Sequence, residues 1–135
     1  MEKITLAVMP ERVGILLAYA ASQEKAAWEY ERYLSLPERQ LYGVREEGAL
    51  TGCIGIECLG ADRLEIKHIA VVPAARGRGV GKALVKAVLQ EHRPSVMVAE
   101  TDLEAVGFYR GLGFEVESLG EKYPGVERFR CRYEK

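Results

Sequence analysis

Val71-Val72-Pro73-Ala74-Ala75-Arg76-Gly77-Arg78-Gly79-Val80-Gly81-Lys82-Ala83-Leu84 decides how this chain is read. An apolar, strand-like run over residues 69–72 enters the stretch, and an amphipathic, helix-like run leaves it. Between them lie Arg76, Arg78 and three glycines, Gly77, Gly79 and Gly81. Glycine lets a ligand approach the main chain closely. The first N–H groups of a helix lack an intrahelical partner and carry partial positive charge, so they attract an anion. A pyrophosphate suits such a cradle.

Three phosphate-binding patterns compete for these residues, beside the option of a Gly-rich turn with no ligand. A nucleoside-triphosphate loop needs Gly, four residues, then Gly-Lys-Ser/Thr. Gly81-Lys82 is present, but Ala83 replaces the magnesium-holding hydroxyl and Arg76 stands where the first Gly belongs. A dinucleotide fingerprint needs G-x-G-x-x-G inside a βαβ unit. Gly77, Gly79 and Gly81 give G-x-G-x-G instead, without those surroundings. The third pattern is Gln/Arg-x-x-Gly-x-Gly/Ala after a strand ending in Val-x-Pro. Arg76, Gly79 and Gly81 fit it in register, and the stretch resembles the acyl-CoA loop of the GCN5-related N-acetyltransferase (GNAT) family.

A second segment agrees. Ala105-Val106-Gly107-Phe108-Tyr109-Arg110-Gly111-Leu112-Gly113-Phe114 resembles that family's A-x-x-F-Y-x-x-x-G-F signature. Alone it is an amphipathic helix with a glycine stop. One strand after the first motif and in the family order, it makes the resemblance specific over residues 64–114. The rest of the chain matches by element order only. The resemblance implies an α+β fold, a mixed and mostly antiparallel sheet flanked by helices, in the order β-α-α-β-β-β-α-β-α-β-β.

It also implies an activity: transfer of an acetyl group from acetyl-CoA to a primary amine by direct attack on the thioester, with no metal. The pyrophosphate would rest on the turn formed by Arg76, Gly77, Arg78, Gly79, Val80, Gly81 and Lys82. The pantetheine amides would pair with the backbone of Ile69, Ala70 and Val71. Tyr109 matches the tyrosine that the family often sets beside the CoA sulfur. A phenol is protonated at pH 7 and can donate to a departing thiolate. An amine acceptor is mostly ammonium at that pH and needs a base. Glu65 matches the acidic position used by some family members. It lies four residues before Ile69, on the same strand face and about 13 Å away, so it would act through water. Glu100 is the second candidate base and His68 the third. Many family members carry Asn where this chain has Asp102, and Asp102 reads instead as a helix cap. The family's acceptor region would contain Tyr19, Trp28, Tyr30, Tyr33 and Tyr123, whose spacing fits core packing in most cases, and Glu57. A non-catalytic acyl-CoA sensor of the same fold is the alternative function.

Composition bounds the class. The chain has 135 residues, enough for one domain over residues 1–135. A formal net charge of −1 offers no electrostatic case for nucleic acid. No apolar run is long enough for a membrane span, and no signal peptide is visible. Cys53, Cys58 and Cys131 are odd in number and lack a C-x-x-C motif, so they read as reduced thiols of a cytoplasmic protein. The resemblance implies an amine as the partner, small or on a protein. The family fold leaves strand edges that a second copy could cover in a homodimer.

The remaining elements follow from periodicity and punctuation. A first strand is expected over residues 4–8 and a helix from Pro10 to Ala21. Ser22 caps a second helix over 23–35. A hairpin of 40–45 and 50–59 turns at Glu46-Glu47-Gly48-Ala49. Leu64, Ile66 and His68 alternate with Glu65 and Lys67 in the next strand. A helix from Gly79 to His92 buries Val80, Leu84, Val85 and Val88. A short strand over 96–99 follows, and Thr101 with Glu104 reads as a capping box. Gly113 closes that helix, and two strands, 114–119 and 126–133, end the chain.

Overall fold

The computed structural model describes residues 1–135. Strand β1 is Glu2–Lys3, helix α1 Glu11–Ala20, α2 Ala26–Ser35, β2 Arg39–Glu46, β3 Ala49–Gly60 and β4 Arg63–Val71. After a 3-10 turn at Pro73–Ala75 come α3 Val80–His92, β5 Val96–Asp102, α4 Val106–Gly111, β6 Glu115–Tyr123 and β7 Val126–Glu134. The strands form one mixed sheet in the order β1-β2-β3-β4-β5-β7-β6. The expected fold class and element order are both present. No helix is long and apolar enough to cross a membrane.

The chain divides into two compact units, one of Met1–Glu57 with Lys67–Arg93, the other of Cys58–Ile66 with Pro94–Lys135. In the first unit, α1 buries Val13, Leu16 and Leu17, and α2 buries Ala26, Tyr30 and Tyr33. Both sets recur at three- and four-residue intervals, so each helix turns one apolar stripe inward. The β2–β3 hairpin closes on Glu47 and Gly48 at φ of 51° and 84°. A two-residue hairpin turn of that kind requires positive φ at both positions, which Gly48 accepts freely. Strand β3 is buried from Leu50 to Ile56 without alternation, because helices cover both its faces. A Cβ at Gly52 would meet Val80 and Leu84 of α3, and one at Gly55 would meet Tyr33 of α2. Strand β4 alternates strictly. Leu64, Ile66, His68 and Ala70 are buried, while Glu65, Lys67, Ile69 and Val71 are half-buried.

In the second unit, β4 pairs in parallel with β5 from Arg63–Val96 to Ile66–Ala99. Strand β5 pairs antiparallel with β7 along its whole length, and β7 pairs with β6. Met97 and Cys131 are fully buried, and the Tyr109 and Phe114 rings pack edge to face, with Phe114 against Tyr133. These contacts place α4 on the sheet face that carries Cys131 and Tyr133.

Several boundaries differ from the sequence expectation. β1 ends at Lys3 rather than covering residues 4–8. Only Ile4 N–H continues the pairing, to Leu41 O, and Leu6 and Val8 are exposed. Helix α2 begins at Ala26, because Ser22 organises a turn ahead of it, its Oγ accepting from Lys25 N–H. Strand β5 runs on through Asp102, so the Thr101–Glu104 box does not form. Asp102 itself caps the turn into α4, accepting from Ala105 N–H at 2.9 Å. Gly113 ends α4 at φ 93°, as expected. Tyr30 and Tyr33 pack in the core, but Tyr19, Trp28 and Tyr123 are exposed, which corrects the core reading for those three.

Candidate active site

The turn that opens α3 is built from backbone. Val72 N–H donates to Thr51 O and holds the end of β4 against β3. The 3-10 turn buries Ala75 and delivers the chain to Arg76. Gly77 and Gly79 then adopt φ of 80° and 79°, and a Cβ at either would meet nothing within 4 Å. Backbone conformation, not crowding, therefore demands glycine there. No side chain caps α3, and its first intrahelical bond runs from Ala83 N–H to Gly79 O. The N–H groups of Val80, Gly81 and Lys82 are thus left without intrahelical partners. An uncrowded turn whose donors lack intrahelical partners fits a pyrophosphate.

The two arginines of the turn are engaged within the chain. Arg76 Nε donates to Val71 O at 2.9 Å, and its guanidinium carbon stands 5.1 Å from the Tyr19 ring centre. Arg78 pairs with Glu46 at 2.9 Å. An anion at this turn would meet the main chain first. Strand β4 continues through Ile69, Ala70 and Val71, past the last β4–β5 pair at Ile66 and Ala99. Those three residues lead directly into the turn.

In the second unit, Tyr109 is 4% exposed and wedged between Phe108 and Phe114. Burial, with a smaller push from Cys131, raises its phenol well above the ordinary value. It stays a proton donor at every pH the protein would meet. Glu65 lies on the other face of the same sheet. It sits opposite Val98, which sits opposite Arg132, whereas Ile66 shares its face with Ala99 and Cys131. Paired residues of neighbouring strands point the same way and successive residues alternate. Glu65 and Tyr109 therefore approach the β4–β5 ladder from opposite sides. Glu100 is the first β5 residue beyond that ladder. Lys122 at 3.0 Å and Arg128 at 3.4 Å hold its carboxyl below the ordinary range, the Lys122 hydrogen bond foremost. That makes Glu100 a poor base.

Residues 8–114 match the model of the acetyltransferase (GNAT) family. The chain belongs to this family. It is 35% identical over 100 residues to the N-alpha-acetyltransferase RimI of Mycobacterium tuberculosis, an overlap of 70% of this chain and 63% of that protein. The chain spans less than two thirds of the length of the first curated relatives it matches. Its fold superposes on an aminoglycoside 6′-N-acetyltransferase complexed with coenzyme A at a TM-score of 0.81, with 16% identity and 99% and 97% of the two chains covered. A GNAT family acetyltransferase from Elizabethkingia anophelis with acetyl-CoA bound gives 0.75, at 19% identity and 99% and 96% coverage.

Within this GNAT chain, His68 belongs to a buried network rather than to an open site. Tyr33 Oη lies 2.6 Å from His68 Nδ1, and His68 Nε2 lies 3.1 Å from Glu29 Oε2. Arg39 then bridges Glu29 at 3.2 Å and Glu57 at 2.8 Å, with its guanidinium over the Tyr33 ring. Desolvation is the largest influence on His68 and lowers its pKa despite the opposing pull of Glu29. A neutral His68 accepts from Tyr33 and donates to Glu29, which satisfies every group. Glu57, a candidate acceptor contact, is committed to Arg39. No group of three or more His, Cys, Asp or Glu side chains could hold a metal ion. Cys53 is fully buried, and burial pushes its thiol up to about 12. The sequence carried no signal for the Tyr19–Arg76 stack or for the Glu29–Arg39–Glu57 chain, because both join residues far apart in sequence.

Proposed function

We propose that this chain is an acetyl-CoA-dependent N-acetyltransferase that moves an acetyl group to a primary amine by direct attack. The observation that carries the reading is the main-chain cradle of residues 76–82, which fits a pyrophosphate and lies inside the matched family segment. The donors of Val80, Gly81 and Lys82 hold the pyrophosphate, and Arg76, Gly77, Arg78, Gly79 and Lys82 surround it. The backbone of Ile69, Ala70 and Val71 pairs with the pantetheine amides in the manner of an added strand. An N–H of this segment holds the oxyanion.

The chemistry divides between the two sheet faces. Glu65, directly or through water, takes the ammonium proton of the acceptor. The freed nitrogen forms a bond to the acetyl carbon, the carbon–sulfur bond breaks, and the nitrogen gives up a second proton to solvent to become the neutral amide. Tyr109 donates its proton to the departing thiolate and recovers one from solvent, while Glu65 releases its own. A base and an acid on opposite faces suit this division, because the incoming amine and the outgoing sulfur need separate space. The acceptor is an amine of a small molecule or of a protein.

The test is release of CoA thiol from acetyl-CoA by the pure protein over a panel of amines, including aminoglycosides, polyamines, amino acids and peptides with free N-termini. Amine-dependent release with an acetylated product supports the reading. Absence of release with every amine, together with no acetyl-CoA binding, overturns it.

A further inference from the structure

We infer that Tyr19 is a positioning residue that sets the two halves of the cofactor site relative to each other. Resting on the transferase reading above, the inference starts from Arg76, the first residue of the cradle. Its side chain does not reach outward freely. Nε is tied to Val71 O, the last carbonyl of β4, and the guanidinium lies on the Tyr19 ring. Tyr19 stands in the last turn of α1 and is 50% exposed, so core packing does not explain its ring. Neither Gly77 nor Gly79 has a side chain with which to hold the turn.

The strap spans two stations. On one side is the β4 segment 69–71, which would pair with pantetheine; on the other are the α3 donors, which would hold the pyrophosphate. Both stations belong to one continuous cofactor, so their relative placement decides whether both can be occupied at once. The Val71 carbonyl has two lone pairs, and serving Arg76 does not close it to a cofactor amide. Tyr19 thereby acts through Arg76, and on the linked ligand rather than on either half.

Equilibrium binding of acetyl-CoA, ADP and S-acetylpantetheine to the wild type, Tyr19→Leu and Tyr19→Phe tests this. A partly exposed cation–π contact predicts that Tyr19→Leu weakens acetyl-CoA by about two- to fivefold. Its KM for acetyl-CoA rises to match, and kcat holds. ADP and S-acetylpantetheine each bind as to the wild type, and Tyr19→Phe restores acetyl-CoA. In an Arg76→Lys background, which lacks the planar fork, Tyr19→Leu has no further effect. Unchanged acetyl-CoA affinity in Tyr19→Leu overturns the inference. So does an equal loss of ADP binding, which would mean a loosened turn, or failure of Tyr19→Phe to restore. A wild type that binds no acetyl-CoA overturns the transferase reading itself, and that result appears before any variant is made.

Discussion

A Cβ placed on Gly55 would lie 1.9 Å from the Tyr33 hydroxyl. Strand β3 must be bare at this point for the phenol to pass over it and reach His68. The hydroxyl cannot withdraw, because His68 Nδ1 holds it and Arg39 lies over the ring. Gly55→Ala therefore forces Tyr33 out and leaves His68 without its donor. We expect a loss of about 3 kcal/mol in stability, from overpacking plus an unsatisfied buried group. Urea denaturation measures it, and a loss below about 1 kcal/mol would show that the network yields cheaply.

The same network gives a pH dependence. The folded pKa of His68 is lowered by burial, so the folded state favours the neutral ring. The unfolded ring titrates near the ordinary value of about 6.5. Above that value both states are neutral and the contribution is fully present. As pH falls, the unfolded chain binds the proton first, and stability drops until the lowered folded value is passed. Melting temperature should decline from pH 7.5 to pH 5, and His68→Gln should flatten that decline. An equal slope in the variant would remove His68 as the cause.

Tyr109→Phe removes one oxygen and leaves the ring contacts with Phe108 and Phe114. We expect kcat to fall by about 10²-fold, with KM for acetyl-CoA and the melting temperature close to wild type. Because burial raises the phenol's pKa, Tyr109 should contribute no alkaline limb to the rate below pH 10. A rate that falls in the wild type above pH 8, but not in the variant, would contradict the raised pKa, whereas a kcat unchanged in Tyr109→Phe would contradict its assignment as the acid.

Glu65 and Glu100 separate by substitution. Glu100 is held by Lys122 and Arg128, which depresses its basicity. Glu100→Gln should leave kcat within about threefold, whereas Glu65→Gln should lower it by about 10²-fold. The reverse ranking would transfer the base to Glu100.

Gly79→Ala isolates the cradle. A Cβ there meets open space, but φ of 79° strains any residue with a side chain by about 1–2 kcal/mol. Acetyl-CoA affinity should drop by about tenfold while the helix, which starts one residue later, is kept. Isothermal calorimetry reads the affinity and circular dichroism the helix content.

Much of this protein was legible as one-dimensional pattern. The Arg76–Gly81 spacing, the Phe108-Tyr109 helix with its Gly113 stop, the Glu47-Gly48 turn and the alternation of residues 64–68 in β4 all depend on residues within a few positions of each other. Local backbone sterics, helix-end chemistry and side-chain periodicity act over that range, so the sequence by itself determined the fold family, the element order and the place of the cradle. It misjudged strand β1, where an apolar run found no partner past Ile4, and the Thr101–Glu104 capping box, which does not form, while the reading of Asp102 as a cap holds. Tertiary structure alone decided what each charged or aromatic group faces. Arg76, though exposed, lies over the Tyr19 ring, and His68 is sealed between Tyr33 and Glu29. Glu100 is neutralised by Lys122 and Arg128, and Glu65 stands across the sheet from Tyr109. The partners in each case come from different elements, and the proximity that sets a side chain's protonation and reach exists only once the chain has brought those elements together.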